Sequence, residues 1–151
     1  MNKVVQGAVV AGYGSGESDF STALSALPPE ERGPYDLLIS VLTAAVARPD
    51  ASCVLSVAGH SDRVDGVGHI AALAQELQAS QDRADSALDY VVAEIRSAVA
   101  GLPEDLDELS NVAVAVRYSG ASLLAVSGDA LDEQQRRMNR RVQIRAIAFV
   151  P

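Results

Sequence analysis

Apolar and polar residues are arranged along this chain in two patterns, one typical of strands and the other of helices. Short runs of valine, isoleucine and alanine, bounded by glycine or polar residues, predict strands at residues 3–11, 53–58, 112–118 and 141–150. Between the strands, apolar residues recur every three or four positions, as they do on one face of a helix. This alternation predicts an α/β (α+β) two-layer sandwich, in which helices cover a mixed sheet.

Helices are predicted at residues 35–47, 70–77 and 130–139, and a separate, longer helix is predicted to begin at Ser80. Ser80 and Asp129 are the predicted N-caps of the long helix and of the last helix, because short polar side chains accept hydrogen bonds from first-turn amides. The predicted order of elements is β-α-β-(α)-α-β-α-β, without internal repeats.

The composition fits one domain spanning residues 1–151. A chain of 151 residues that is 48% hydrophobic can bury its own core. Its one cysteine, Cys53, excludes an internal disulfide framework. No apolar run reaches the roughly 18 residues that cross a bilayer, so no transmembrane segment is expected. The start is interpreted as a strand rather than a signal peptide, which leaves two localisations open. In the first, the protein is synthesised in the cytoplasm and associates with a particle. In the second, it lies in the periplasm and faces the cell wall.

The charges are unevenly distributed. All 20 acidic residues lie at or before Glu133, whereas residues 134–151 contain five arginines and no acid. The net charge of −8 argues against a partner that is a nucleic acid or an anionic membrane surface. We interpret the C-terminal arginines as cations near a helix end and on one face of a strand.

Three separated segments resemble one known family. They are residues 59–62 (GHSD) after a predicted strand, residues 80–84 (SQDRA) at the predicted helix start, and residues 136–142 (RRMNRRV) before the last strand. Together they are similar to the OmpA-like C-terminal domain, the peptidoglycan-binding module of outer-membrane proteins, Pal lipoproteins and flagellar stator proteins. The family pattern is G-H-T-D, L-S-x-x-R-A and R-x-x-N-R-R-V. Ser61 replaces the threonine and Ala79 the leucine, whereas the following positions match: Ser80, Arg83, Ala84, Arg136, Asn139, Arg140, Arg141 and Val142.

The resemblance implies a non-catalytic module that holds the diaminopimelate of a peptidoglycan stem peptide. Carried over by motif, Asp62 meets the ligand's ammonium and Arg83 meets its carboxylate, while Ser61 and His60 supply further donors. An anion and a bidentate guanidinium suit the zwitterionic end of an amino acid. If Arg83 lies near a helix N-terminus, as predicted, the helix also contributes donors for the carboxylate.

Two departures from the family pattern affect the expected site. The interval between Asp62 and Arg83 is longer than is usual and includes the extra element at residues 70–77. Asp65 stands where the family has a glycine, and its charge is expected to repel a ligand carboxylate nearby.

The third segment, residues 136–142, is expected to have a mainly structural role. In this interpretation Asn139 ends the helix, and one arginine packs under the loop that contains Asp62, which we call the ligand loop.

Two alternatives remain open from the sequence. The chain could be a structural or assembly subunit of a phage-tail or contractile-injection particle that docks through its apolar first strand or its acidic face. The residues His60, Asp62, Asp65 and His69 have the side chains of a metal site, although their spacing matches no strong metal signature. We favour the binding module, with the stem peptide and other protein subunits as partners, and expect no enzymatic activity, cofactor or metal.

Overall fold

The chain folds into four strands, four α-helices and one short 3-10 helix in a computed structural model that describes residues 1–151. In chain order these are β1 (Asn2–Ala11), α1 (Phe20–Ser25), α2 (Pro29–Val46), β2 (Ser52–His60), α3 (His69–Ala98), the 3-10 helix (Leu106–Glu108), β3 (Val112–Tyr118), α4 (Glu133–Asn139) and β4 (Arg141–Val150). No helix is both long enough and apolar enough to cross a membrane.

The four strands form one mixed sheet in the order β1-β4-β2-β3. The last strand, β4, lies between β1 and β2 and is antiparallel to both, whereas β2 and β3 are parallel. Helix α2 packs on β1 and β4, and α3 packs on β2 and β3. The predicted sandwich of a mixed sheet and covering helices is therefore confirmed.

The core lies between the sheet and the helices. Every second strand residue points into it, including Val10, Leu55 and Ile144, and these side chains are at most 2% exposed. Leu38 of α2 and Val91 of α3 are fully buried against them. This alternation is the pattern expected of a sheet that is covered on one face only.

On the other face of the sheet no strand residue is acidic, and α2 reaches this face only at one side, where Glu30, Glu31 and Pro34 line a concavity with Arg117 and Arg145. One row of paired residues crosses all four strands and is entirely apolar: Val5, Ile147, Val54 and Ala113. The cations Lys3, Arg117 and Arg145 lie on the same face, and each is solvent-exposed. We call this surface the open sheet face.

The prediction of two helices before and after Ser80 is wrong, because α3 is continuous over 30 residues. No glycine or proline interrupts residues 70–98, and the inward-facing positions keep one helical phase through Ala72, Glu76 and Ser80. The Ser80 hydroxyl donates to the Leu77 carbonyl within the helix at 2.7 Å, so Ser80 is not an N-cap. Arg83 consequently lies in the middle of α3, and the expected contribution of a helix N-terminus to its site is absent.

The N-cap of α4 is Asp132 rather than the predicted Asp129. The Asp132 side chain accepts from the Gln135 amide at 2.8 Å, and the Gln135 side chain accepts from the Asp132 amide at 3.0 Å. This capping box satisfies two amides at once, which favours the later start.

Other differences from the prediction concern the start of α2, the end of β2 and the presence of α1. Helix α2 begins at Pro29, earlier than expected, because prolines are tolerated in the first turns of a helix. Strand β2 continues to His60, two residues beyond the predicted end. Helix α1, capped by Asp19, was not predicted at all, and its six residues are too few to show a helical period.

Candidate functional site

The GHSD segment lies where β2 ends against the middle of α3. A Cβ atom on Gly59 would lie 1.9 Å from the backbone oxygen of Ser80, so only glycine allows the helix to cross the strand this closely. The Ser80 hydroxyl accepts from the Gly120 amide at 3.0 Å, and the Gly120 carbonyl accepts from the Ser61 amide at 2.8 Å. Ser80 therefore connects α3 to the loops after β2 and β3, and this fixes the position of Arg83 relative to Asp62.

Arg83 is buried in the protein and has no carboxylate partner. Its side chain is among the largest that are fully buried, with 2% of the residue exposed. The guanidinium donates to two backbone carbonyls, that of Glu17 at 2.9 Å and that of His60 at 3.1 Å. None of the protein's ion pairs includes it. Burial lowers the pKa of Arg83, an indication that its charge is only partly compensated.

Two buried hydroxyl groups beside Arg83 have no hydrogen-bond partner. The Tyr13 ring lies under the guanidinium, with its centroid 5.2 Å from Cζ, and the phenol hydroxyl of Tyr13 is buried without a partner. The Ser61 hydroxyl follows directly on the His60 carbonyl that Arg83 contacts, and it is also buried without a partner. Unpartnered buried polar groups are unfavourable and rare, and the third one is the Thr43 hydroxyl in α2. Two of the three thus belong to residues next to the unpaired cation, which makes this region the candidate ligand site.

Asp62 lies in the same loop and is held from the opposite side by α4. The Arg136 guanidinium donates to its Oδ2 at 2.7 Å, and the Asn139 amide donates to its Oδ1 at 2.9 Å. The Asp62 side chain is only 4% exposed, whereas that of Arg136 is 27% exposed. Asp62 is thus a nearly buried carboxylate that accepts one charged and one neutral hydrogen bond.

Asp65 pairs with the same arginine instead of standing alone. Its Oδ2 accepts from Arg136 at 2.9 Å, so one guanidinium bridges Asp62 and Asp65. Arg140 Nη2 also lies 4.0 Å from Asp62 Oδ2. The connected ion pairs join the carboxylates of Asp62, Asp65 and Glu133 to Arg136, Arg137 and Arg140, so the cluster as a whole has no net charge. Arg136 therefore reduces the repulsion that the sequence led us to expect from Asp65.

The other residues of the RRMNRRV segment hold the surrounding loops. Asn139 ends α4 as predicted, and it exchanges two hydrogen bonds with the backbone of Val126. Arg140 pairs with Glu133 at 2.7 Å, and Arg141 donates to the backbone carbonyls of Asn139 and Leu123. These contacts agree with a mainly structural segment, whereas Arg136 contacts the ligand loop directly.

His60 is completely buried, and both of its ring nitrogens are engaged by protein groups. Nδ1 lies 2.6 Å from the Ser119 hydroxyl, and Nε2 lies 2.9 Å from the Gln143 side-chain oxygen. Burial, with a further contribution from the charge of Arg141, lowers the pKa of His60 to about 4. The imidazole is therefore neutral at pH 7 and joins β2 to the loop after β3. It is the backbone carbonyl of His60 that reaches Arg83.

The low pKa of His60 predicts a loss of stability in mild acid. Its pKa is about 4 in the folded protein, against about 6.5 in an unfolded chain, so the unfolded chain takes up the proton first as pH falls. The free energy of unfolding should therefore decrease by about 2 kcal/mol between pH 7 and pH 5 on account of this group. Urea titrations at both pH values measure this decrease. In His60→Gln the decrease should be much smaller, and an equal decrease in both proteins would contradict the assignment.

The metal alternative finds no support in the arrangement of the side chains. No group of three or more histidine, cysteine, aspartate or glutamate side chains lies close enough to hold a metal ion. His60 is enclosed by Ser119 and Gln143, whereas His69 is exposed at the first residue of α3.

Tyr13 and the loop after β3 are the parts of the site that the sequence did not reveal. Tyr13 follows the first strand in a glycine-rich segment that resembled only a turn. Ser119 and Gly120 carry no motif, and they reach the site because β3 lies parallel to β2. A parallel neighbour brings its carboxyl-end loop to the same edge of the sheet, which is the one signal that could have indicated them.

Comparisons with known proteins identify structures of a similar kind but no sequence relative. The sequence matches no model of a known protein family, and no curated protein matches it. Among solved structures, the cell wall anchor of the T6SS from Pseudomonas aeruginosa matches at 15% identity and a TM-score of 0.43, over 93% of this chain and 80% of that one. Two structures of the periplasmic domain of Helicobacter pylori MotB also match. One has 12% identity and a TM-score of 0.39 over 93% of this chain and 74% of that one. The other has 15% identity and a TM-score of 0.36, and the match covers 73% of this chain and 64% of that one. These values are too low to transfer a function, so the functional argument rests on the site itself.

Proposed function

We propose that this protein is a non-catalytic, OmpA-like module that binds peptidoglycan by recognising the diaminopimelate of its stem peptide. Arg83 receives a carboxylate of the ligand, and Asp62 receives the neighbouring ammonium. The proposal joins the motif resemblance of residues 59–62, 80–84 and 136–142 to the geometry of the site.

The observation that carries the proposal is the buried, unpaired guanidinium of Arg83. Holding a charge in the interior costs several kcal/mol unless a counter-charge compensates it. A ligand carboxylate would supply that counter-charge and form charge-assisted hydrogen bonds with the guanidinium. The hydroxyls of Ser61 and Tyr13 lack partners beside it and are suitable further donors.

The acceptor positions that Asp62 keeps free support binding of the ammonium. An ionised carboxylate offers about four acceptor positions, and Arg136 and Asn139 use two of those of Asp62. A ligand ammonium can donate charge-assisted hydrogen bonds to the positions that remain. A zwitterionic amino-acid end would therefore find one site of each sign at the carboxyl end of β2.

Sedimentation with insoluble peptidoglycan tests this function. Purified protein should be retained on peptidoglycan that contains diaminopimelate, and free diaminopimelate should release it. Peptidoglycan with lysine at the same position is the matched control, because lysine carries the side-chain ammonium but no second carboxylate for Arg83. Equal retention on both materials, or no retention by the folded protein, would overturn the proposal.

The open sheet face supports a second function, that of an assembly subunit. Its strand residues include exposed cations and no acid, although the chain as a whole has a net charge of −8, and acids of α2, Glu30 and Glu31, lie only at one side of it. Val5 and Val9 of β1 are each about half exposed on this face. Such a surface suits a protein partner with an acidic, amphipathic segment. A folded protein that fails to bind peptidoglycan would favour this function over the first.

A further inference from the structure

A groove runs between the first turns of α3 and the two loops that form the candidate site. Its volume is about 750 Å³, which is in the range of small-molecule sites. One wall is formed by α3 with Leu73 and Leu77, and the opposite wall by residues 63–67. The loop of residues 119–122 lines the rest. No function assigned above uses this groove.

The groove is continuous with the site at Asp62. Arg63, Val64 and Asp65 line it, and Asp65 shares Arg136 with Asp62. The Val64 amide donates to the buried side chain of Glu76 at 2.9 Å, which attaches the ligand loop to α3. Asp62 and Arg83 do not themselves line the groove, but a ligand held at Asp62 lies beside it, so the remaining atoms of that ligand can extend into it.

The groove has an apolar part, although His69 and Glu76 of α3 also line it. Leu73 is 51% exposed, Leu77 49% and Val67 46%, although all three lie in a concave surface. The rim is polar and includes Arg63, Asp65 and Ser122. Half-exposed leucines inside a concavity gain from burial under small apolar groups, and a polar rim can pair with the amides of a peptide.

The helical turns that form this wall belong to the interval between Asp62 and Arg83 that is longer than the motif pattern requires. Ala72 and Glu76 face inward from these turns and are buried, so the extra turns are packed against the protein. The additional residues thus add a lined surface beside the site without interrupting it.

We infer that this groove is a second subsite, which binds the alanine residues that follow diaminopimelate in the stem peptide. The inference rests on the proposed function, since diaminopimelate at Arg83 and Asp62 directs the peptide into the groove. Alanine methyl groups contact Leu73 and Leu77, and the peptide amides face the polar rim. The subsite makes the affinity depend on the length of the stem peptide as well as on diaminopimelate.

Calorimetry with two synthetic ligands tests the subsite. The ligands are the stem tripeptide that ends at diaminopimelate and the pentapeptide that adds two D-alanines. The wild type should bind the pentapeptide about tenfold more tightly, because the added methyl groups and the leucines are removed from water. Leu73→Ser and Leu77→Ser should each reduce this ratio towards one while leaving the affinity for the tripeptide unchanged.

Ile70→Ser is the matched control for these variants. Ile70 lies on the same turns of α3 and is 83% exposed, but it does not line the groove. This variant should keep the tenfold ratio. A wild-type ratio near one, or a ratio that Leu73→Ser and Leu77→Ser do not change, would overturn the subsite. Failure of the proposed function has a different result, in which neither ligand binds.

Discussion

Replacing Arg83 by methionine is expected to weaken diaminopimelate binding at least a hundredfold while changing the stability of the ligand-free protein little. Methionine fills much of the same volume but cannot pair with a carboxylate, so charge-assisted hydrogen bonds worth about 3 kcal/mol or more are lost on binding. In the ligand-free protein two opposite effects nearly cancel. The carbonyls of Glu17 and His60 lose a donor, but a buried cation without a counter-charge is removed. We expect the free energy of unfolding to change by about 1 kcal/mol or less.

Calorimetry and urea titration of the same Arg83→Met protein separate a ligand role from a structural one. A purely structural arginine would cause a large loss of stability when replaced, with little selective effect on binding. Arg48→Met is the matched control, because Arg48 is exposed and pairs only with Asp50. Arg48→Met should alter neither the affinity for diaminopimelate nor the free energy of unfolding. Undiminished binding by Arg83→Met would contradict the assignment of Arg83.

Replacing Asp62 by alanine, unlike Arg83→Met, is expected to lower the free energy of unfolding by about 3 kcal/mol. Asp62 is nearly buried between Arg136 and Asn139, and its removal leaves one amide N–H of Asn139 and part of the Arg136 guanidinium without an acceptor. Removal of one partner from a buried ion pair typically costs about 3–5 kcal/mol. The remaining pair of Arg136 with Asp65 reduces this cost. The sequence alone did not predict a large stability effect at Asp62, because a loop aspartate usually contacts only neighbouring amides.

The neighbouring aspartate provides the control for this experiment. The Asp65 side chain contacts the same Arg136 but is 74% exposed, so solvent screens its pair. Asp65→Ala should therefore cost less than about 1 kcal/mol. In a double-mutant cycle with Arg136→Ala, Asp62 should couple more strongly than Asp65. Equal destabilisation by the two aspartate substitutions would contradict the burial-based account of this cluster.

The sequence predicted the sheet well, because its strands are valine-rich and bounded by clear turn residues. Strands β3 and β4 have the predicted bounds, and the first strand differs by only one residue. The error at Ser80 has a physical cause. A serine before a run of apolar residues is typical of an N-cap, but a buried serine can also bond to a carbonyl of its own helix. Local pattern cannot distinguish these cases, because the partner at Gly120 comes from a loop 40 residues away.

The site was predictable only in part, because several of its contacts also come from residues that lie far apart in the sequence. The motif segments identified Asp62 and Arg83, and both lie at the end of β2, Asp62 in the loop itself and Arg83 in contact with the His60 carbonyl. The lack of a carboxylate near Arg83 could not be derived from the sequence, because Glu17 contacts it through a backbone carbonyl and Asp82 precedes it on the helix. The role of Arg136 as a bridge depends on where α4 lies relative to β2, and no spacing along the chain specifies that.

The most direct test of the account is a side-chain NMR titration of Arg83 with meso-diaminopimelate. The guanidinium resonance, assigned by its loss in Arg83→Lys, should shift and saturate as the ligand is added. Cadaverine, which has two amino groups and no carboxylate, should leave that resonance unchanged. The account predicts this difference between the two ligands. An Arg83 resonance that does not move at any concentration of diaminopimelate would contradict the claim that the buried guanidinium receives the ligand's carboxylate.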